Sequence, residues 1–464
     1  MKKYLLFFLI VLGVLLVIPG IVGFKVQEQY QGMLDRTAQA GFEILEQEYR
    51  RGWFSSEARS ELRIQVRASV DAPEPLELTL TLENRLNHGP LTSQGLALAE
   101  IETDLLLNGE RLFPEDYPAV IATRILLDGS GSTVVEMPAL DLTENDERPA
   151  VRFGGLSGVV NFDADIKNVS VGMEMPGLDV IEDDLHLIKM GEASIESRSW
   201  LGGSGLTLGS GNLKLHELSI HDTASGEQVS LQGLELVVDS SEQDGQVSGF
   251  ATYSLDGLEV GDKEYGPGVL KVELVRLSAP VLLELQRSIE DMQDQQMTEA
   301  QRGMAMMGVL MGSASEFLAN DPGMSIDPLR FSTPDGELSA RFSVNADGLR
   351  WEHVGNPQIW VTKLDASLSL RIPEKLLRTL LENQARTRLM NEIEALTEEL
   401  GEQPLVEQEQ LDSMVDAEVQ GQMELWLSQG LLKRDREDLI TEAQLADGLL
   451  TVNGQPVPLP GLGQ

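Results

Sequence analysis

Residues 4–24 form an apolar run, broken only by Pro19-Gly20 and preceded by Met1-Lys2-Lys3. No later stretch of the chain approaches it. A helix rises about 1.5 Å per residue, so this run covers about 30 Å, one hydrocarbon thickness. The sequence therefore predicts a signal anchor over residues 1–24, with the membrane contacted through residues 4–24. The exit, Ile18-Pro19-Gly20-Ile21-Val22-Gly23-Phe24, alternates bulky and small residues and lacks the Ala-x-Ala form of a cleaved signal. Lys2, Lys3 and the α-amine precede the run, whereas Lys25 and Glu28 follow it. The positive-inside rule then leaves the N-terminus in the cytoplasm. In a bacterium the expectation is a single-pass inner-membrane protein with its C-terminal domain in the periplasm. No cysteine follows the run, which excludes lipoprotein processing.

The remainder is long enough for two or three domains with real cores. It has 0 Cys, so the fold holds by packing without disulfides, and Cys-based zinc sites and Cys nucleophiles are excluded. The formal net charge of −40 opposes binding to nucleic acid, which needs clustered Lys and Arg. The acidic residues are scattered singly, as in a solvated coat that keeps a protein soluble.

Val26, Tyr30, Leu34, Ala38, Phe42 and Leu45 recur at helical spacing, predicting a juxtamembrane helix over 25–52 that Gly52 ends. The period then becomes two. Leu62, Ile64, Val66, Ala68 and Val70 alternate with polar residues, as do Leu76, Leu78, Leu80 and Leu82. Asn108-Gly109 reads as a type I′ hairpin turn. Strand fragments separated by Gly, Asp, Ser and Asn turns continue through a β-rich region over 53–278, implying a meandering antiparallel sheet. A Met-rich helical insertion over 279–321 carries Met292, Met297, Met304, Met306, Met307 and Met311. The sheet continues over 322–372, including a strand from Trp360 to Ile372. A helical region over 373–430 holds helices near 374–400 and 405–430. Residues 431–464 supply a hairpin turning at Asn453-Gly454 and a tail. The fold class expected is α+β, a transmembrane helix followed by a β-rich ectodomain with inserted helices.

Few residues suggest chemistry. In Gly52-Trp53-Phe54-Ser55-Ser56 the glycine lets the chain reverse, the aromatics plug the sheet end and the serines bond turn amides. A functional alternative sets Trp53 and Phe54 in the outer headgroup layer. His88-Gly89-Pro90 is the most suggestive polar spot, as a turn-stabilising histidine or as a catalytic base. A base needs a nucleophile or a held water, and no neighbouring Ser, Asp or Glu has a recognisable spacing. His216 and His221 fall on opposite faces of a strand, so sharing a metal requires a bulge. His186 with Glu182, Asp183 and Asp184 is thin as a metal site. Asp163 and Asp165, read as sharing a strand face, lack a third calcium ligand. Gly202-Gly203-Ser204-Gly205 and Gly209-Ser210-Gly211 have loop composition. No hydrolase elbow, Walker or dinucleotide fingerprint is present. No catalytic, metal or cofactor residue is assigned.

Several segments together resemble the YdgA family of bacterial inner-membrane-anchored proteins. They are the lysine-flanked anchor, Tyr49-Arg50-Arg51-Gly52-Trp53-Phe54-Ser55-Ser56, Asn87-His88-Gly89-Pro90-Leu91, Tyr253-Ser254-Leu255 with Gly266 to Glu273, Asp321-Pro322 with Pro328-Leu329, and Gly448-Leu449-Leu450-Thr451-Val452-Asn453-Gly454-Gln455. Gly52, Phe54, Ser55, Ser56, His88, Gly89, Pro90, Asn453 and Gly454 are the family-motif residues. The resemblance implies location and topology, but no established activity, substrate or catalytic residue.

The leading functional reading is a non-enzymatic, membrane-tethered periplasmic protein that binds lipid or an envelope partner on its sheet and Met- and Leu-rich helices. The alternatives are an envelope hydrolase using His88 and a homo-oligomeric scaffold paired through the 25–50 helix.

Overall fold

The computed structural model describes residues 43–66, 76–93, 95–111, 117–143, 149–183, 185–221, 226–293, 299–400 and 408–458. The chain is β-rich, with a large antiparallel sheet and few helices. The anchor over 1–24 and most of the juxtamembrane segment lie outside the described residues. Among those described, no helix is long and apolar enough to cross a membrane. Contacts divide the chain into two units, Met1–His216 with Gln286–Met306, and Glu217–Leu285 with Met307–Gln464.

The first unit begins with strands β1 (Glu43–Arg51), β2 (Ser55–Val66) and β3 (Leu76–His88), continuing through the small β4 (Leu91–Thr92) and β5 (Gly95–Leu96). Next come β6 (Ala99–Leu107), β7 (Glu110–Arg111), β8 (Val120–Ile125) and β9 (Gly131–Met137). The order β1-β2-β3-β6-β8-β9 is an antiparallel meander. It continues through Leu156–Phe162, Asn168–Met175, Ala193–Leu201 and Thr207–His221. Alternation sets the register. Leu62 faces Leu80, so apolar residues of both strands share a face. On that face Ala58, Leu86, Ala99, Ile101, Ile125 and Phe162 form the core.

Glu43–Arg51 is a strand, where the sequence predicts the end of a helix. The helical spacing there places Leu45 inward, yet Leu45 is exposed. Ile44 and Tyr49 pack against the core instead, on either side of a register shift between Ile44 and Glu46. Pairing with β2 outweighs a weak local periodicity. Asn108 and Gly109, at φ 50° and 81°, make the expected turn between β6 and β7. Gly209-Ser210-Gly211 is strand and not loop. A Cβ on Gly209 would lie 2.9 Å from the Arg198 carbonyl oxygen, so the glycine admits a close neighbouring strand.

The second unit is a meander of Gln228–Gln243, Gln246–Leu255, Gly268–Ser278, Gly323–Thr333, Gly336–Ala346, Leu364–Pro373, Asp438–Ala446 and Leu449–Val452. Register aligns Val238, Ala251, Val272, Ile326, Phe342, Leu368, Ala443 and Val452 in one row across these strands. A parallel row runs Leu236, Tyr253, Leu270, Leu329, Ala340 and Leu370. The opposite face carries Ser325, Arg330, Ser339, Arg341, Ser343, Ser367, Ser369 and Arg371. The helices Glu374–Leu400 and Gln408–Ser428 cover one end of the apolar face, where Ile372 and Leu439 meet Leu381, Ala385, Val415, Val419 and Met423. At the other end Val238, Tyr253 and Leu274 stay exposed.

The Met-rich insertion is two helices, Ala279–Gln293 and Glu299–Ala319. Met304, Met307 and Met311 are exposed. Trp360 to Lys363 is helical turn, and the strand expected from Trp360 starts at Leu364. Among the described residues three X-Pro bonds are cis, at Pro90, Pro267 and Pro328.

Candidate functional site

The first unit gathers Gly52, Phe54, Ser55, Ser56, His88, Gly89 and Pro90 at one end of its sheet. β1 stops at Arg51 and reverses over three residues. The Gly52 amide donates to the Ser55 carbonyl at 2.8 Å. A Cβ on Gly52 would lie 2.5 Å from that oxygen, so only glycine fits this reversal. Ser56 pairs with Leu86 across the ladder, and His88 follows Leu86 by two. Side chains alternate along a strand, so Ser56, Leu86 and His88 all face the core.

There His88 Nε2 lies 2.9 Å from Ser56 Oγ, and Nδ1 lies 3.3 Å from the Trp53 carbonyl oxygen. A carbonyl only accepts, so in the neutral ring Nδ1 holds the proton and Nε2 accepts from the Ser56 hydroxyl. The His88 amide donates to the Phe54 carbonyl at 2.8 Å. His88 thus ties both aromatic residues of the turn through their carbonyls. Tyr49 reaches the same pocket, and burial raises its phenol pKa, with the nearby Ser56 hydroxyl and Arg51 acting the other way. Ser56, expected to bond turn amides, bonds His88 instead. Trp53 and Phe54, expected to plug the sheet end, are each more than half exposed. The turn closes through backbone and His88 bonds, which leaves both rings outside.

A second turn is bound to the first. The Gly89 amide donates to the Leu98 carbonyl at 2.7 Å, and Ala97 to Pro90 at 3.1 Å. A Cβ on Gly89 would lie 1.7 Å from the Ala97 oxygen. Glu100 is buried beneath this loop. It accepts from Thr92 Oγ1 at 2.6 Å, Ser93 Oγ at 2.6 Å and the Ser93 amide at 3.1 Å. A third turn joins through the Leu98 amide, which donates to the Ile125 carbonyl at 2.7 Å, and Leu126 closes on Ser130 at 2.7 Å. Asp128 accepts from the hydroxyl and amide of Ser130, which lowers its pKa.

A hydroxyl donating to a neutral imidazole is the start of a nucleophile–base pair. In this pair a backbone carbonyl orients the ring where a carboxylate commonly does. His88 is 5% exposed and Ser56 3%, so the pair is buried as the site stands. Sequence reasoning singled out His88 and Ser56 separately and missed their contact. The legible signal was parity, because once β2 and β3 are paired both residues fall on the core face.

Asn453 and Gly454 belong to the second unit, at φ 53° and 78° in the hairpin turn. Asn453 Nδ2 donates to the carbonyls of Gly430 at 2.9 Å and Leu431 at 3.2 Å, and Oδ1 accepts from the Glu442 amide at 3.0 Å. The asparagine thereby fastens the last hairpin to the chain leaving the helix Gln408–Ser428.

His186 pairs with Asp179 at 2.6 Å. Asp163 and Asp165 sit in the turn after Phe162, not on a strand face. Asp163 accepts from Asn168 and the Lys167 amide, which lowers its pKa, and Asp165 pairs with Lys167 at 3.0 Å. His216 and His221 lie on the strand Thr207–His221. Among the described residues no three His, Asp or Glu side chains group as a metal site.

The family model described as "Bacterial protein of unknown function (DUF945)" matches residues 1–460, and the chain belongs to this family. Protein YdgA of Escherichia coli (strain K12) is 22% identical over 475 residues, covering 93% of this chain and 88% of that protein. No solved structure matches. The family carries no assigned activity.

Proposed function

We propose that this protein is non-enzymatic, held in the inner membrane by residues 4–24 with its β-rich ectodomain in the periplasm. There it holds the acyl chain of an envelope lipid on the apolar sheet face of its second unit. The observation that carries the reading is the row from Val238 through Val272, Ile326 and Phe342 to Val452. Eight strands spaced about 4.8 Å apart make it about 34 Å long. The helical pair covers only one end, and Val238, Tyr253 and Leu274 are exposed at the other. Apolar faces of that extent in a chain of charge −40 mark interaction surfaces. A photo-crosslinking residue at Phe342 in the full chain, irradiated in cells, is expected to capture lipid. The same residue at Ser369, on the polar face, is expected to capture none. A protein adduct at 342 moves the reading to an envelope protein partner, and no adduct at 342 overturns the lipid reading.

One observation favours a hydrolase, the 2.9 Å contact of Ser56 Oγ with His88 Nε2. Burial of both residues opposes it. A His88→Ala chain of full stability that loses function supports the hydrolase. Loss of stability without a separate biochemical defect supports the turn-holding role.

A further inference from the structure

We infer that the end of the first unit that carries His88 docks on the headgroup layer of a lipid bilayer. Turn tips are ordinarily Gly, Pro, Asn, Asp and Ser, and polar. Here three adjacent turns present Trp53 and Phe54, Leu91 and Leu96, and Leu126 and Leu127, each between 40% and 70% exposed. The turns form one surface. His88 bonds the Trp53 and Phe54 carbonyls, Gly89 bonds Leu98, and Leu98 bonds Ile125, the residue before Leu126. Arg124 Nη2 reaches the Leu96 carbonyl at 3.4 Å, tying the second and third turns as well. The apolar tips are therefore held by a hydrogen-bonded frame rather than by their own packing.

The charges at this end suit a headgroup layer. Arg50, paired with Glu48 at 3.0 Å, and Arg51 immediately precede Gly52, and Arg124 lies between the Leu96 and Leu126 tips, in a chain whose total is −40. Of the acids near the tips, Glu100 is buried beneath the second turn, whereas Asp128, which accepts from Ser130, and Glu57 are exposed. Aromatic rings, leucines and arginines on one rim are the composition of an interfacial anchor. The next turn, Asp163 to Lys167, is polar and marks the edge of the patch.

The length of chain outside the described residues permits this pose. Residues 25–42 span at most about 60 Å when fully extended. β1, nine residues long, runs about 30 Å from Glu43 to the docking end. A chain anchored by residues 4–24 can thus turn this end back onto its own bilayer. The inference rests on the anchor of the proposed function and not on the lipid-holding face.

The chain has no cysteine, so one nitroxide can be placed at a time. Phe54→Cys, Leu127→Cys and Glu46→Cys full chains, spin-labelled, are reconstituted in vesicles of phosphatidylethanolamine and phosphatidylglycerol. The expected result is oxygen collisions exceeding those of a nickel chelate at 54 and 127, with the reverse at 46. Trp53→Asp with Leu91→Asp, both outside the core, is expected to return the label at 54 to water while the chain still floats with the vesicles. Labels at 54 and 127 as wet as the one at 46, on chains that float, overturn the docking and leave the anchor standing. Chains that do not float overturn both. Spin–spin broadening at 54 assigns the patch to a second copy of the chain and overturns the bilayer reading.

Discussion

Replacing His88 with Ala tests whether this side chain holds the sheet end together. The substitution removes the hydrogen bonds to Ser56 Oγ at 2.9 Å and to the Trp53 carbonyl at 3.3 Å. Each is worth about 1 kcal/mol net. His88 is 5% exposed, so deleting its ring also leaves a cavity, at about 1.5 kcal/mol for a ring of this size. The sum is about 3.5 kcal/mol, or roughly 300-fold in the opening equilibrium at 1.4 kcal/mol per decade. The readout is amide exchange at His88, Gly89, Ala97 and Leu98, whose donors bridge the three turns. Protection there is expected to fall by that factor, with little change in the strands of the second unit. Ser56→Ala alone leaves Nε2 without its donor and is expected to lose about 1–2 kcal/mol. The two substitutions share a contact, so their effects fall short of additive by about 1 kcal/mol. Unchanged protection in the His88→Ala chain, or strict additivity with Ser56→Ala, would refute the account of His88 as the tie between turns.

Gly89→Ala drives a Cβ to 1.7 Å from the Ala97 oxygen, both sides being backbone, so a loss of at least about 3 kcal/mol is expected in thermal unfolding; near-native stability would show that the loop relaxes freely. Asn453→Ala gives up three side-chain hydrogen bonds, at about 1 kcal/mol each, and strains a residue at φ 53° by about 1 kcal/mol more, so about 4 kcal/mol is lost; Asn453→Gly relieves the strain and is expected to recover part of it, and equal losses would argue against a conformational contribution. Glu374 is held below the usual carboxylate range by Arg434, and Asp435 by Arg371. A lowered folded pKa means stability present above the unfolded value, about pH 4, and lost as pH falls through the folded value. The urea midpoint of the second unit is expected to drop below pH 4, and Arg434→Gln to shallow that drop; identical acid profiles would exclude the pair as its source.

The strands were legible where one face is buried. Leu364 through Leu370 alternate because the strand meets a core on one side and water on the other. The turns at Asn108-Gly109 and Asn453-Gly454 were legible because few residue pairs adopt two positive φ angles in succession. Glu43–Arg51 was misread because its apolar spacing suits a helix until β2 is there to pair with it. The contact of Ser56 with His88 joins residues 32 apart, and nothing local to either marks the other.

By itself the sequence determined the class of the fold, since period-two alternation and Gly, Asp and Asn turns admit an antiparallel meander and little else. It also placed the helical pair after Pro373, where period 3.6 resumes. Register, burial at the sheet end and the fate of Trp53 and Phe54 were decided only by tertiary structure. Alternation states that a residue faces one side of a sheet. Whether that side is covered depends on which distant strands and helices arrive there. The aromatic residues of a turn plug a sheet end or project from it according to partners such as His88, which the chain supplies more than thirty residues later.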